Sequence, residues 1–107
     1  MKIRAKNREQ TVDMTLPVTD MDMQYYMKRI GIENVMPVCC ISEVRDEPPY
    51  FGFLKGQTVN MDELNFFARR MDGMTEYEKR VVGVYSSETG IREMKQLINL
   101  TYSLQGL

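Results

Sequence analysis

The chain has 107 residues, 43% of them hydrophobic and 27% charged, with a formal charge of −1 and no histidine. That length and apolar fraction suit one folded domain, residues 1–107, with one core. No run approaches the roughly 20 apolar residues of a bilayer-crossing helix, and the basic start has no apolar segment behind it, so a cytoplasmic protein with no membrane association is expected. The absence of histidine removes the commonest general base, the commonest metal ligand and every Ser-His or Cys-His pair. No enzyme, no cofactor and no metal site is therefore expected.

The charge is uneven. Lys2, Arg4, Lys6 and Arg8 open the chain without an acid, leaving ten basic and fifteen acidic residues, a balance of −5, for the remainder. In an extended backbone these four cations would line one side and could touch phosphate; a solvated, disordered or edge-strand tail is the commoner outcome. Nucleic acid is accordingly not the expected direct partner.

Along the chain, Val12, Met14 and Leu16 alternate with polar neighbours, which predicts a strand over about residues 10–16. Thr19 then reads as an N-cap, and Met23, Tyr26, Met27 and Ile30 repeat at helical spacing before Gly31. Residues 35–44 read as a strand disturbed at Pro37. The adjacent Cys39 and Cys40 would point to opposite faces there, as two small buried hydrophobes in a reducing compartment. After the turn at Asp46-Glu-Pro-Pro, residues 50–54 read as an antiparallel partner strand.

From residue 59 the pattern becomes helical. Asn60 with Glu63 makes a capping box ahead of the stripe Leu64, Phe67, Ala68 and Met71. Thr75 with Glu78 makes another, ahead of a segment with Tyr77, Val81, Val84 and Tyr85 on one face. Its Val-Val-Gly-Val-Tyr centre suits a strand locally, but the capping favours a helix. A last helix, about residues 91–104, places Met94, Leu97, Ile98 and Thr101 together, beside Ile91 and Tyr102. The expected fold is α+β: a small antiparallel sheet of about three strands with one helix (residues 1–58), then three short helices (59–107).

Close acid pairs at Asp20/Asp22, Asp62/Glu63 and Glu76/Glu78 fall at helix starts, where capping and dipole compensation explain them better than catalysis. Asp46/Glu47 reads as a polar turn. Two thiols on opposite strand faces make a poor metal site. Phe66 stands out, since it points away from the stripe of its own helix. It either lies under another element or meets a second chain.

The segment Asn60-Met-Asp-Glu-Leu-Asn-Phe-Phe-Ala-Arg-Arg-Met-Asp, then Glu76-Tyr-Glu-Lys, then Leu97-Ile-Asn-Leu, resembles the ArdA antirestriction proteins, whose central region has a similar "DELN-x-x-A" helix, an "E-x-E-K" helix and a final "LINL" helix. Leu16-Pro-Val-Thr-Asp with Arg29-Ile-Gly looks like that family's "LPAT" helix start and helix end. The match spans about residues 16–104. The resemblance implies a DNA mimic of plasmids and conjugative elements, a mobile-element protein working as an elongated acidic dimer. Such a mimic occupies the DNA site of type I restriction–modification enzymes, its carboxylates standing in for phosphates. The residues this would use are Asp62, Glu63, Asp72, Glu76, Glu78, Glu88 and Glu93, with Phe66 as an apolar contact. Family members are longer and more acidic, and here Arg69, Arg70, Lys79 and Arg80 stand among the acids. The other expectation is a non-catalytic protein–protein interaction module of a mobile element, with a homodimer among its forms.

Overall fold

The computed structural model describes residues 1–33, 36–91 and 93–105. It is an α+β fold with four strands, β1 (Lys2–Asn7), β2 (Gln10–Thr15), β3 (Val38–Val44) and β4 (Thr58–Asn60), and four helices, α1 (Asp20–Arg29), α2 (Met61–Asp72), α3 (Glu76–Thr89) and α4 (Met94–Gln105). The strands form one antiparallel sheet in the order β2-β1-β3-β4.

The basic N-terminus is the first correction. It is an interior strand between β2 and β3, neither a tail nor an edge. The alternation of charge has an apolar complement: Ile3 and Ala5 are buried while Lys2 and Lys6 face outward. Burial of that second face against the core holds the strand in place. The β1–β2 connection is a two-residue turn, and its first central residue, Arg8, has φ 57°. Gly or Asn usually fills such a position, so the ordinary hairpin signal is missing from the sequence.

The predicted strand over residues 50–54 is the second correction. These residues form a turn and a short 3₁₀ segment, Gly52–Leu54, and β3 pairs with β1 and β4 instead. Phe51 and Leu54 are buried three residues apart, a turn's spacing rather than a strand's. The Phe51 ring meets Phe67 of α2 edge-on, centroids 5.3 Å apart, the arrangement that ring quadrupoles favour. The strand expected over 35–44 begins at Val38, just after Pro37; Asn34 and Val35 lie outside the described residues.

The predicted N-cap residues are in place, although the expected Asn60–Glu63 capping box is only half formed: the Asn60 side chain accepts, and among the described residues the Glu63 side chain makes no return bond. Thr19 accepts a hydrogen bond from the Asp22 N–H, and Asn60 from the N–H groups of Asp62 and Glu63. Thr75 and Glu78 form the full reciprocal box. Helix α4 starts at Met94, later than expected, and buries Met94, Leu97 and Thr101 with Ile98 partly covered, as its periodicity predicts. One buried cluster joins both halves: Ile3, Val12, Met14 and Ile41 of the sheet, Met23 and Met27 of α1, Leu64 and Phe67 of α2, Val82 of α3 and Leu97 of α4.

Helix α3 brings the third correction. The segment is a helix, but the face with Tyr77, Val81, Val84 and Tyr85 is not its buried one. Val82, Gly83 and Ser86 are buried, while Tyr77 is 75% exposed. Gly83 decides this, because its Cα lies so close to Tyr50 that a β-carbon would land on the Tyr50 carbonyl oxygen. A sum of apolar residues cannot register an advantage that consists of a missing side chain.

Cys39 is buried and Cys40 half-buried, both free, on opposite faces of β3 as the strand alternation requires. Burial, with the neighbouring Cys40 thiol, pushes the Cys39 thiol up to about 11. Among the described residues no helix is long and apolar enough to cross a membrane.

Candidate partner-binding surface

The acids singled out in the sequence sit at or near the two ends of α2 and along α3. At the N-terminal end, Asn60 fixes the first turn by accepting from the Asp62 N–H (2.9 Å) and the Glu63 N–H (3.2 Å). That leaves both carboxylates at the surface, where they also complement the helix dipole. Glu63 and Glu93 line one shallow depression with Lys95. Asp62 borders a groove of about 690 Å³ with Asp20, Lys28 and Glu33, over a floor that includes Met23, Met27 and Ile32.

At the far end, Asp72 and Glu76 border a smaller cavity, about 150 Å³, together with Asp46, Glu47 and Lys79. Asp46 also accepts the Lys2 backbone N–H at 2.8 Å. Asp62 and Asp72 are ten residues apart, which is about 15 Å along a helix at 1.5 Å per residue. The acids thus form two groups, not one continuous ridge. Glu88 stands apart, exposed near the C-terminal end of α3. Glu78 is committed to its cap, accepting from the Thr75 N–H at 3.2 Å and the Thr75 hydroxyl at 3.0 Å.

Three of the four cations among these acids are bound into the fold, while Arg80 is exposed on α3. Arg69 donates to the Val18 carbonyl at 2.8 Å and lies 3.6 Å from Asp20. Arg70 donates to the Thr101 hydroxyl and places its guanidinium 3.9 Å from the Tyr102 ring centroid, a cation–π distance. Lys79 lies 3.5 Å from Glu76. Beneath them, Asn65 is almost fully buried and bonds both backbone groups of Val18, accepting from its N–H and donating to its carbonyl, each at 2.9 Å. Phe66 is 40% exposed on the same side as Arg70, one turn earlier. Tyr102, whose ring lies under the Arg70 guanidinium, is 51% exposed.

The N-terminal cations lie elsewhere, on the open face of the sheet. Arg4 is 2.8 Å from Asp13 and 3.8 Å from Glu43, and Arg45 is 2.8 Å from Glu43 and 3.3 Å from Asp13. The Arg4 side chain, hydrogen-bonded to Asp13, holds that carboxyl below its usual range, and Arg45 does the same for Glu43. Arg4 is thereby taken out of the stripe that the four alternate cations could have formed.

Sequence reasoning missed Asn65, which occupies a helix interior as a polar residue and has its partner 47 residues away. It also missed that Asp46, Glu47, Asp20 and Glu33 would join the acids of α2. Nothing local signals either, because each depends on contacts between distant segments. Among the described residues, no group of three or more His, Cys, Asp or Glu side chains is placed to hold a metal ion. No protein-family model, no curated protein and no solved structure matches the chain.

Proposed function

We propose that the chain is a non-catalytic binding domain that engages a basic protein groove through its acidic helical surface, in the manner of an antirestriction DNA mimic directed at type I restriction–modification enzymes. The observation that carries this reading is the disposition of charge. Asp62, Asp72, Glu76, Glu88 and Glu93 are exposed, while Arg69, Arg70 and Lys79 are drawn into contacts within the fold and Arg80 remains exposed. A groove built for phosphates would meet carboxylates first, and association would be fast and salt-sensitive. The test is competition: micromolar protein should displace DNA from a type I methyltransferase and protect unmodified DNA in cells. Failure of both rejects the reading.

A second reading rests on a different surface. Phe66, Arg70 and Tyr102 combine the residue types that dominate protein–protein hot spots, and the separation of the acids into two groups suits an interaction module of this kind. Phe66→Ser should leave the melting temperature unchanged and weaken partner capture. Loss of stability in a monomer would make Phe66 a packing residue and reject this reading.

A further inference from the structure

The groove beside α1 combines an apolar floor with an acidic rim. Asp20, Met23, Gln24, Met27 and Lys28 line it from the helix, at the spacing i, i+3, i+4, i+7 and i+8 that keeps side chains on one face. It therefore follows α1 for about 12 Å, eight residues at about 1.5 Å each. Ile32 and Pro37 complete the apolar lining. Met23 and Met27 are nearly fully buried, yet methionine is unbranched and polarizable, so a floor built from it repacks around anchors of different shape. The rim carries Asp20, Glu33 and Asp62 against a single lysine, Lys28. Asp20 lies 3.6 Å from Arg69, whereas Glu33 and Asp62 have no salt-bridge partner among the described residues.

From this we propose that the groove docks a basic amphipathic helix of a partner protein, its apolar anchors on Met23 and Met27 and its flanking cations against Glu33 and Asp62. Shape and charge together select this occupant. An elongated groove of about 690 Å³ accepts anchors repeated at i, i+3, i+4 and i+7, the pattern by which a helix lies in an apolar groove. A small molecule fits less well, because the described lining holds no aromatic ring and no buried polar group to orient one. Three carboxylates against one ammonium group favour a cationic partner and repel an acidic one. The inference rests on neither functional reading, since neither displacement of DNA nor capture through Phe66 requires an apolar floor beside α1.

The probe is a fluorescein-labelled helical peptide of about 14 residues, roughly four turns, with leucines at i, i+3, i+4 and i+7 and lysines between them. Titrated with the full chain and followed by anisotropy, it should bind at micromolar concentration, more weakly as salt rises. A peptide with glutamate for lysine, and one with serine for leucine, should both fail to bind. Glu33→Lys should weaken binding about fivefold and Lys28→Glu should tighten it by about as much. In spectra of the chain labelled with carbon-13 at its methionine methyls, which also confirm that each variant is folded, the peptide should shift Met23 and Met27. Met71 and Met94, which line other depressions, should stay in place. No binding by the lysine–leucine peptide overturns the proposal, and so does equal binding by either control peptide. Indifference to both charge variants, or shifts confined to Met71 and Met94, overturns the location. Movement of Met23 and Met27 with protein concentration alone would assign the groove to a second copy and overturn the proposed occupant.

Discussion

Replacing Gly83 with alanine sets two effects of opposite sign against each other, and the structure decides which wins. In a helix interior alanine is favoured over glycine by about 1 kcal/mol, so an isolated helix would gain. Here the new β-carbon would overlap the Tyr50 carbonyl oxygen and lie 3.0 Å from the Tyr50 Cβ and 3.1 Å from its carbonyl carbon. Most of those atoms are backbone and cannot swing aside, so α3 must withdraw from the residue 50–54 turn. Overpacking of that kind costs about 1–3 kcal/mol, occasionally more, and contact with backbone belongs at the upper end. A net loss of about 2 kcal/mol follows, which lowers the melting temperature by about 10 °C in a domain of this size. Thermal and urea denaturation followed by circular dichroism measure it. Gly73→Ala is the control, since its φ of −85° is ordinary and its nearest contact is 3.8 Å away. A Gly83→Ala protein as stable as the wild type, or more so, would refute the close approach of α3 to Tyr50.

Asn65→Ala should cost about 2 kcal/mol by urea denaturation, because the Val18 N–H loses its acceptor while the Val18 carbonyl keeps Arg69; an unchanged midpoint would refute the role. Ser86→Ala should have the opposite sign, a gain of about 1 kcal/mol. The Ser86 hydroxyl is buried without a hydrogen-bond partner among the described residues, and a lower midpoint would show that it has one. The Asp13 and Glu43 carboxyls are held below their usual values of 3.8 and 4.5. A depressed folded pKa contributes stability that is present above those values and lost as pH falls through the lower folded ones. Asp13→Asn should therefore flatten the acid limb of a melting-temperature–pH curve below about pH 4, and superimposable curves would count against the ion-pair network.

Much of the fold is legible locally. Thr19, Asn60 and Thr75 satisfy their helices' first N–H groups with their own side chains, and such short-range bonds can be read from spacing alone. The stripes of α2 and α4 are equally plain, because each helix buries one broad face. Three features are not legible: strand β1, the turn at residues 50–54 and the buried face of α3. At β1 the charges at alternate positions obscure Ile3 and Ala5, and Arg8 supplies no turn signal. At residues 50–54 a run of aromatics fits a strand until Phe51 finds Phe67. In α3 the more apolar face is outside, because Gly83 lets the other one come closer to Tyr50.

The candidate surface divides the same way. Its acids are conspicuous in sequence because they cap helices, yet their grouping with Asp46, Glu47, Asp20 and Glu33 arises only when distant segments meet. Two of the three arginines that stand among the acids, Arg69 and Arg70, are turned onto Val18, Thr101 and Tyr102, and Arg80 stays exposed. By itself the sequence determined the α+β class, the starts of α1, α2 and α3 and the apolar stripes of α2 and α4, all set by interactions within a few residues. Tertiary structure alone decided the interior place of β1, the exposed stripe of α3 and the engagement of the cations, because close approach, burial and ion pairing depend on what the rest of the chain brings alongside.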